Sequence, residues 1–258
     1  MESLKVKTIN DFVNAGEKPE ILFWVGSAGS FDERAKKITR AFVKILNKAN
    51  VNFAVLGEQE SSSGDAAKRA GNEFLFQMQA LMNIEILNSY DITNIVTTCP
   101  HSYNTLKNEY SDLGGNYKVT HHTEFISDLI KHGKLNLTTD FNYKKITYHD
   151  PCYLGRGNDI YESPRDLIAN LNIDFVEMPR NKRNSFCCGA GGAQMFKEAE
   201  NGKFEINIIR TEEALKTGAD VIATGCPFCN TMMTDGVKNI SEGQAQVKDI
   251  AELIAECI

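Results

Sequence analysis

Apolar residues fall in short blocks along the chain, separated by longer stretches in which they recur every three or four positions. The blocks 21–25, 53–56, 95–98, 146–148 and 221–224 are too short for helices and rich in β-branched and aromatic residues, so they predict buried strands. The stretches 32–48, 72–88, 102–110 and 205–216 carry the helical period. Strands alternating with helices predict an α/β chain of parallel strands joined by crossover helices. Sites in such sheets form at the C-terminal ends of the strands.

The pattern occurs twice. The block ending at Ser27 is followed by Ser62-Ser63-Gly64 and then by Cys99-Pro-His-Ser102 after a strand. The block ending at Cys152 is followed by Cys187-Cys188-Gly189 and then by Cys226-Pro-Phe-Cys229, again after a strand. Ser27 to Ser62 is 35 positions, as is Cys152 to Cys187, and Ser63 to Cys99 is 36 against 38 for Cys188 to Cys226. Val119 and Glu124-Phe-Ile match Val247 and Glu252-Leu-Ile at an offset of 128. Agreement of spacing, chemistry and flanking apolar runs predicts an internal duplication: two related α/β units near 1–140 and 141–258, joined through the turn-rich stretch 135–143.

Charge narrows the partners. The net charge is −6 with both signs well mixed, which argues against nucleic acid or an anionic membrane as the main partner. Residues 1–10 lack the apolar centre of a signal peptide, and no run approaches 18 uncharged apolar residues. A cytoplasmic protein without direct membrane insertion is the expectation.

Seven cysteines then need a reason. Their odd number, with no secretion signal, argues against a disulfide framework. Cys226-Pro227-Phe228-Cys229 ends a strand and opens a helix, with proline where its missing N–H costs nothing. The positive end of the helix dipole there favours thiolate, the form that binds metal. Cys187 and Cys188 are neighbours whose side chains diverge, which suits different irons of a cluster better than one tetrahedral ion. The glycines from Gly189 to Gly192 let backbone approach a bulky inorganic core and offer it N–H groups. Cys152 completes a set of five from another strand end. An iron–sulfur cluster is the expected occupant; zinc, which takes four ligands, and thiol–disulfide chemistry are the alternatives. His149 is placed to hydrogen-bond a cluster sulfur.

Other features read as structural. Gly26-Ser-Ala-Gly29 matches neither common nucleotide-binding pattern. His121 and His122 read as surface or packing histidines, and Cys257 as a packed or free thiol.

At these residues the sequence resembles the cysteine-rich (CCG) domain family, which includes a component of heterodisulfide reductase and the small iron–sulfur subunits of lactate-utilisation and glycolate oxidase systems. Members carry two copies of a C…CCG…CxxC pattern, and the second copy is intact here. The resemblance implies a [4Fe–4S] cluster, cubane or non-cubane, on Cys152, Cys187, Cys188, Cys226 and Cys229. It also implies an electron-transfer subunit of an oxidoreductase beside an iron–sulfur (ferredoxin-type) or flavin partner subunit. The alternative is a structural or interaction protein with zinc on the same cysteines. In the first copy serine stands at Ser27, Ser62, Ser63 and Ser102 and only Cys99 remains. Serine offers a hard, protonated oxygen, so one cluster rather than two is expected. The degenerate site is a candidate polar pocket, with His101 also in its wall.

Overall fold

The apolar blocks become the central strands of two parallel sheets in the computed structural model, which describes residues 4–138, 143–198, 201–241 and 243–258. The first sheet comprises Lys7–Thr8 (β1), Ile21–Trp24 (β2), Phe53–Val55 (β3), Asn94–Thr97 (β4) and Lys118–His121 (β5), in the order β1-β3-β2-β4-β5. The second comprises Lys145–Tyr148 (β6), Asp174–Phe175 (β7), Val221–Thr224 (β8) and Gln246–Asp249 (β9), in the order β7-β6-β8-β9. Every pairing is parallel. Without β1, the first order maps strand for strand onto the second. Register repeats as well: Asn94 lies opposite Lys118, and Val221 opposite Gln246. The fold is therefore α/β and internally duplicated. Of the join expected at 135–143, residues 139–142 lie outside the described residues.

Side-chain alternation explains the layering. Leu22 and Trp24 of β2 enter a core with Ile9, Phe76 and Tyr103 on the outer face of the first sheet. Ile21 and Phe23 point the other way, into a core shared with Ile146, Tyr148 and Val221 of the second sheet. The two sheets thus bury one common interior. The helix Glu33–Lys48 closes it: Asp32 Oδ1 caps its start at Ala35 N–H (2.7 Å), and Ile38, Phe42, Ile45 and Leu46 are buried along one face. It packs on the helix Ile250–Glu256 of the second half. Arg34 grips Glu252 with two hydrogen bonds of 2.9 and 2.6 Å, and Lys44 Nζ donates to the carbonyls of Ala255 and Ile258.

Three sequence expectations are refined. The helix expected over 102–110 is a short α-helix, Pro100–Asn104, that widens into a π-turn at Thr105–Glu109 and tightens again at Tyr110–Leu113. The irregular turns carry Glu109 to Arg69 and the Tyr110 hydroxyl to the Ser63 carbonyl (3.0 Å). His121 and His122 are packing residues, fully enclosed, with His122 Nε2 at 2.9 Å from Asp249 Oδ1 across the two halves. Cys257 is packed in the shared core. Among the described residues, no helix is long and apolar enough to cross a membrane.

Candidate metal centre and its twin pocket

Strand order reverses between β2 and β4 in the first sheet, and between β6 and β8 in the second. Each reversal opens a crevice at the strand C-termini, the usual ligand position of such sheets. In the second sheet the crevice receives His149 to Cys152 after β6 and Gly225-Cys226 after β8. The loop 185–192 covers it. Its backbone has an anchor at each end: Asp150 takes two hydrogen bonds from Arg165 (2.8 and 2.9 Å) and one from Lys182 N–H (2.8 Å), while its carbonyl accepts from Ser185 Oγ (3.1 Å).

The five cysteines converge. Their sulfurs form one hydrogen-bonding chain in the order Cys152, Cys187, Cys188, Cys229, Cys226. Cys188, Cys226 and Cys229 are buried, and Cys152 and Cys187 are partly open. The neighbours Cys187 and Cys188 therefore do not diverge to separate places, but occupy successive links of the chain.

Electrostatics single out two thiolates. Hydrogen bonds from Cys152 and Cys188 hold Cys187 far below the ordinary thiol value against the effect of burial, and Gly189 N–H adds a donor at 3.2 Å. Cys226 is also lowered: burial pushes it up, but Cys229, the nearby His101 and the N–H groups of Phe228 and Cys229 outweigh that. Cys152, Cys188 and Cys229 are pushed up, chiefly because each is the donor to a neighbouring sulfur. The expected helix-terminus effect thus reaches Cys226, the N-cap residue, and not Cys229, which lies a turn inside the helix Pro227–Ile240.

Gly189 has φ of +93°, the left-handed region that favours glycine, and a side chain there would press on Ile206 and Met232. His149 lies with Cys188 and Cys229 in a group whose ligand atoms are all within 4.8 Å of one another. Its Nδ1 accepts from Arg210 Nε at 3.0 Å. Burial and then the guanidinium push His149 down to about 3, so the ring is neutral with its proton on Nε2. Arg210 has no exposed surface and also donates to Arg180 O (2.9 Å) and Ser185 Oγ (3.3 Å). Sequence reasoning missed Arg210, Asp150 and Arg165. Asp150 had a signal, standing inside His-Asp-Pro-Cys; Arg210 lies in an ordinary helical stretch and had none.

The twin crevice, between β2 and β4, holds a cavity of about 220 Å³. Ser27, Ser62, Ser63, Cys99, His101 and Ser102 all line it. Its loops are held from behind by hydrogen bonds. Asn83 Nδ2 donates to Ser62 O and to the Tyr110 hydroxyl, both at 2.9 Å, and Tyr110 donates to Ser63 O. Glu60 accepts from Val25 N–H (3.0 Å) and Gly26 N–H (2.5 Å), so a carboxylate already occupies the donors a phosphate would need. Burial raises Glu60 to about 7 despite those bonds. Burial likewise pushes the Cys99 thiol up to about 12, with the charge of Cys226 adding to it. His101 Nδ1 meets Asp65 Oδ2 at 2.8 Å, and its ring stacks at 4.4 Å on Tyr153 and at 5.1 Å edge-on to Phe228. The second half thus walls the pocket of the first, and the two crevices face each other through Cys99 and Cys226.

Two crevices at equivalent switch points, one lined by five cysteines and one by their serine counterparts, define a duplicated cysteine-rich α/β protein. The chain belongs to the CCG cysteine-rich domain family, whose profile matches residues 21–107 and 146–234. It is 45% identical over 256 residues to a probable iron-sulfur-binding oxidoreductase, FadF, of Bacillus subtilis, covering 98% of this chain and 36% of that protein. It is 41% identical over 253 residues to the EtfAB:quinone oxidoreductase of Syntrophomonas wolfei, covering 95% of this chain and 35% of that protein. Similarity extends to a component of the dihydromethanophenazine:CoB–CoM heterodisulfide reductase of Methanosarcina barkeri, at 32% identity over 95% of this chain and 61% of that protein. The chain therefore spans about a third of the two bacterial relatives.

Proposed function

We propose that this chain is an iron–sulfur-binding, electron-transfer part of an oxidoreductase, with one [4Fe–4S]-type cluster, cubane or non-cubane, held by Cys152, Cys187, Cys188, Cys226 and Cys229. The observation that carries the proposal is the continuous chain of five cysteine sulfurs at one strand-end crevice. Soft thiolate donors in that number exceed what a tetrahedral zinc site uses. Two of them already favour the thiolate, and Gly189 N–H points at Cys187 Sγ. When bound, a cluster supplies one-electron transfer.

The chain's own residues supply the rest. Cys226 and Cys229 are locked by the start of a helix, while Cys187 and Cys188 ride on the loop that Asp150 and Ser185 anchor. His149, neutral and steered by Arg210, offers Nε2–H to the sulfur side of the crevice. Met195, Phe228 and Met232 pack around the buried cysteines and keep water from them. The relatives' names carry over here as support: each is an oxidoreductase or part of a reductase, one described as iron-sulfur-binding. A ferredoxin-type iron–sulfur or flavin partner would exchange electrons with this site.

A second reading, structural zinc, is favoured by one observation, the close set of His149, Cys188 and Cys229. Against it, His149 faces the Arg210 guanidinium, whose charge opposes a cation there. Visible absorption after anaerobic purification separates the two. A brown protein with broad absorption is expected, and a colourless one would favour zinc.

A further inference from the structure

The serine-lined crevice keeps hydrogen-bonding groups in reserve. Ser63, His101 and Ser102 are 7%, 6% and 5% exposed, and all line the 220 Å³ cavity. His101 Nδ1 is committed to Asp65, which is also paired with Arg69. Among the described residues, none hydrogen-bonds to Ser63 Oγ, Ser102 Oγ or His101 Nε2. Three buried polar atoms aimed into one cavity, in a loop framework that Asn83 and Tyr110 hold from behind, make a prepared site.

We propose that this pocket binds a small neutral molecule with a flat ring bearing oxygens, in its carbonyl or its hydroxyl form, the class of a quinone or hydroquinone head group. Size sets the first limit. At about 220 Å³ the cavity is below the ~300 Å³ at which drug-sized pockets begin, so it suits a single substituted ring. Charge sets the second. Asp65 and the thiolate-favouring Cys226 stand close by, which disfavours an anion, and Asp65 already has two cationic partners. Shape sets the third: Phe228 and Phe196 wall the cavity with rings 6.0 Å apart and nearly perpendicular, a slot for a flat apolar body.

The donor set fixes the oxygen chemistry. Serine hydroxyls turn to donate or accept, and a histidine held at Nδ1 by a carboxylate accepts at Nε2 when neutral and donates there when charged. The pocket therefore accommodates both members of a carbonyl–hydroxyl pair, where a site of fixed donors would hold only one. It also abuts Cys99 and Cys226, so a bound ring would lie beside the five-cysteine crevice. Electron exchange at this ring rests on the cluster function proposed above; binding of the ring does not.

Anaerobic calorimetric titration of the full chain, as purified, with duroquinone and with durohydroquinone tests the proposal. Iron and sulfide are measured on the same samples. Saturable binding of both, one per chain, is expected. It should weaken about tenfold or more in a Ser63→Ala/Ser102→Ala double variant, and stay unchanged for Ser89→Ala on the outer surface. His101→Gln serves as a second variant and should also weaken both ligands. Absence of saturable binding, or binding that neither pocket variant weakens, would overturn the proposal. Iron-loaded protein that binds neither compound refutes the pocket alone. Binding by protein without iron upholds the pocket and refutes the cluster.

Discussion

Arg210 Nε donates to His149 Nδ1 across 3.0 Å, with both side chains shut away from solvent. Because a guanidinium only donates, this bond fixes the tautomer of the histidine and turns its remaining N–H toward the cysteines. The same guanidinium supports the Arg180 carbonyl and Ser185, and it is balanced by Glu213 at 3.1 Å. Removing it strands a histidine nitrogen, a carbonyl and a carboxylate.

Arg210→Met should therefore destabilise the fold by about 3 kcal/mol, the usual consequence of breaking one side of a buried ionic network. Urea unfolding followed by circular dichroism measures it. A variant as stable as the parent would show that the Arg210 network contributes nothing net.

Glu60 gives stability a pH dependence. Its folded-state value, raised by burial to about 7 from an ordinary 4.5, means the folded chain holds the proton more tightly than the unfolded one. Between those values the folded state binds more protons, so this contribution to stability falls as pH rises through that window and levels off above about 7. Glu60→Gln removes the slope. Melting temperatures of both proteins from pH 4.5 to pH 8 should converge at the acid end and separate, with the variant higher, toward the alkaline end. Parallel curves would place the Glu60 proton elsewhere.

Gly236 marks the closest approach of two helices, Ile206–Leu215 and Pro227–Ile240. A β-carbon there would sit 2.1 Å from Thr211 Oγ1 and 3.3 Å from the Asn207 carbonyl. Gly236→Ala is expected to cost about 1–3 kcal/mol by overpacking, with partial recovery when Thr211→Ala is added. Equal stability of single and double variants, in the same urea assay, would mean the clash is relieved by helix movement.

The duplication was legible because spacing survives where chemistry does not: serines at 27, 62 and 63 keep the intervals of Cys152, Cys187 and Cys188. Apolar blocks marked β2, β4, β6 and β8, which are buried on both faces. The edge strands β1 and β7, two residues each, left no periodic trace to read. The cysteine set was legible from its motifs, but its supports were not. Arg210 reaches His149 across 61 positions, and Asn83 reaches Ser62 across 21, and neither pairing follows a local period. The π-turn after Asn104 is set by contacts of Glu109 and Tyr110 with distant residues, so the helical pattern over 102–110 concealed it.

The central claim is that Cys152, Cys187, Cys188, Cys226 and Cys229 together hold an iron–sulfur cluster. Iron and acid-labile sulfide assays on anaerobically purified protein test it most directly, run beside Cys187→Ser, Cys229→Ser and Cys257→Ser. About four iron and four sulfide per chain are expected in the parent and in Cys257→Ser, with most of both lost in the other two. Stoichiometric zinc without sulfide, or equal loss in all three variants, would contradict it.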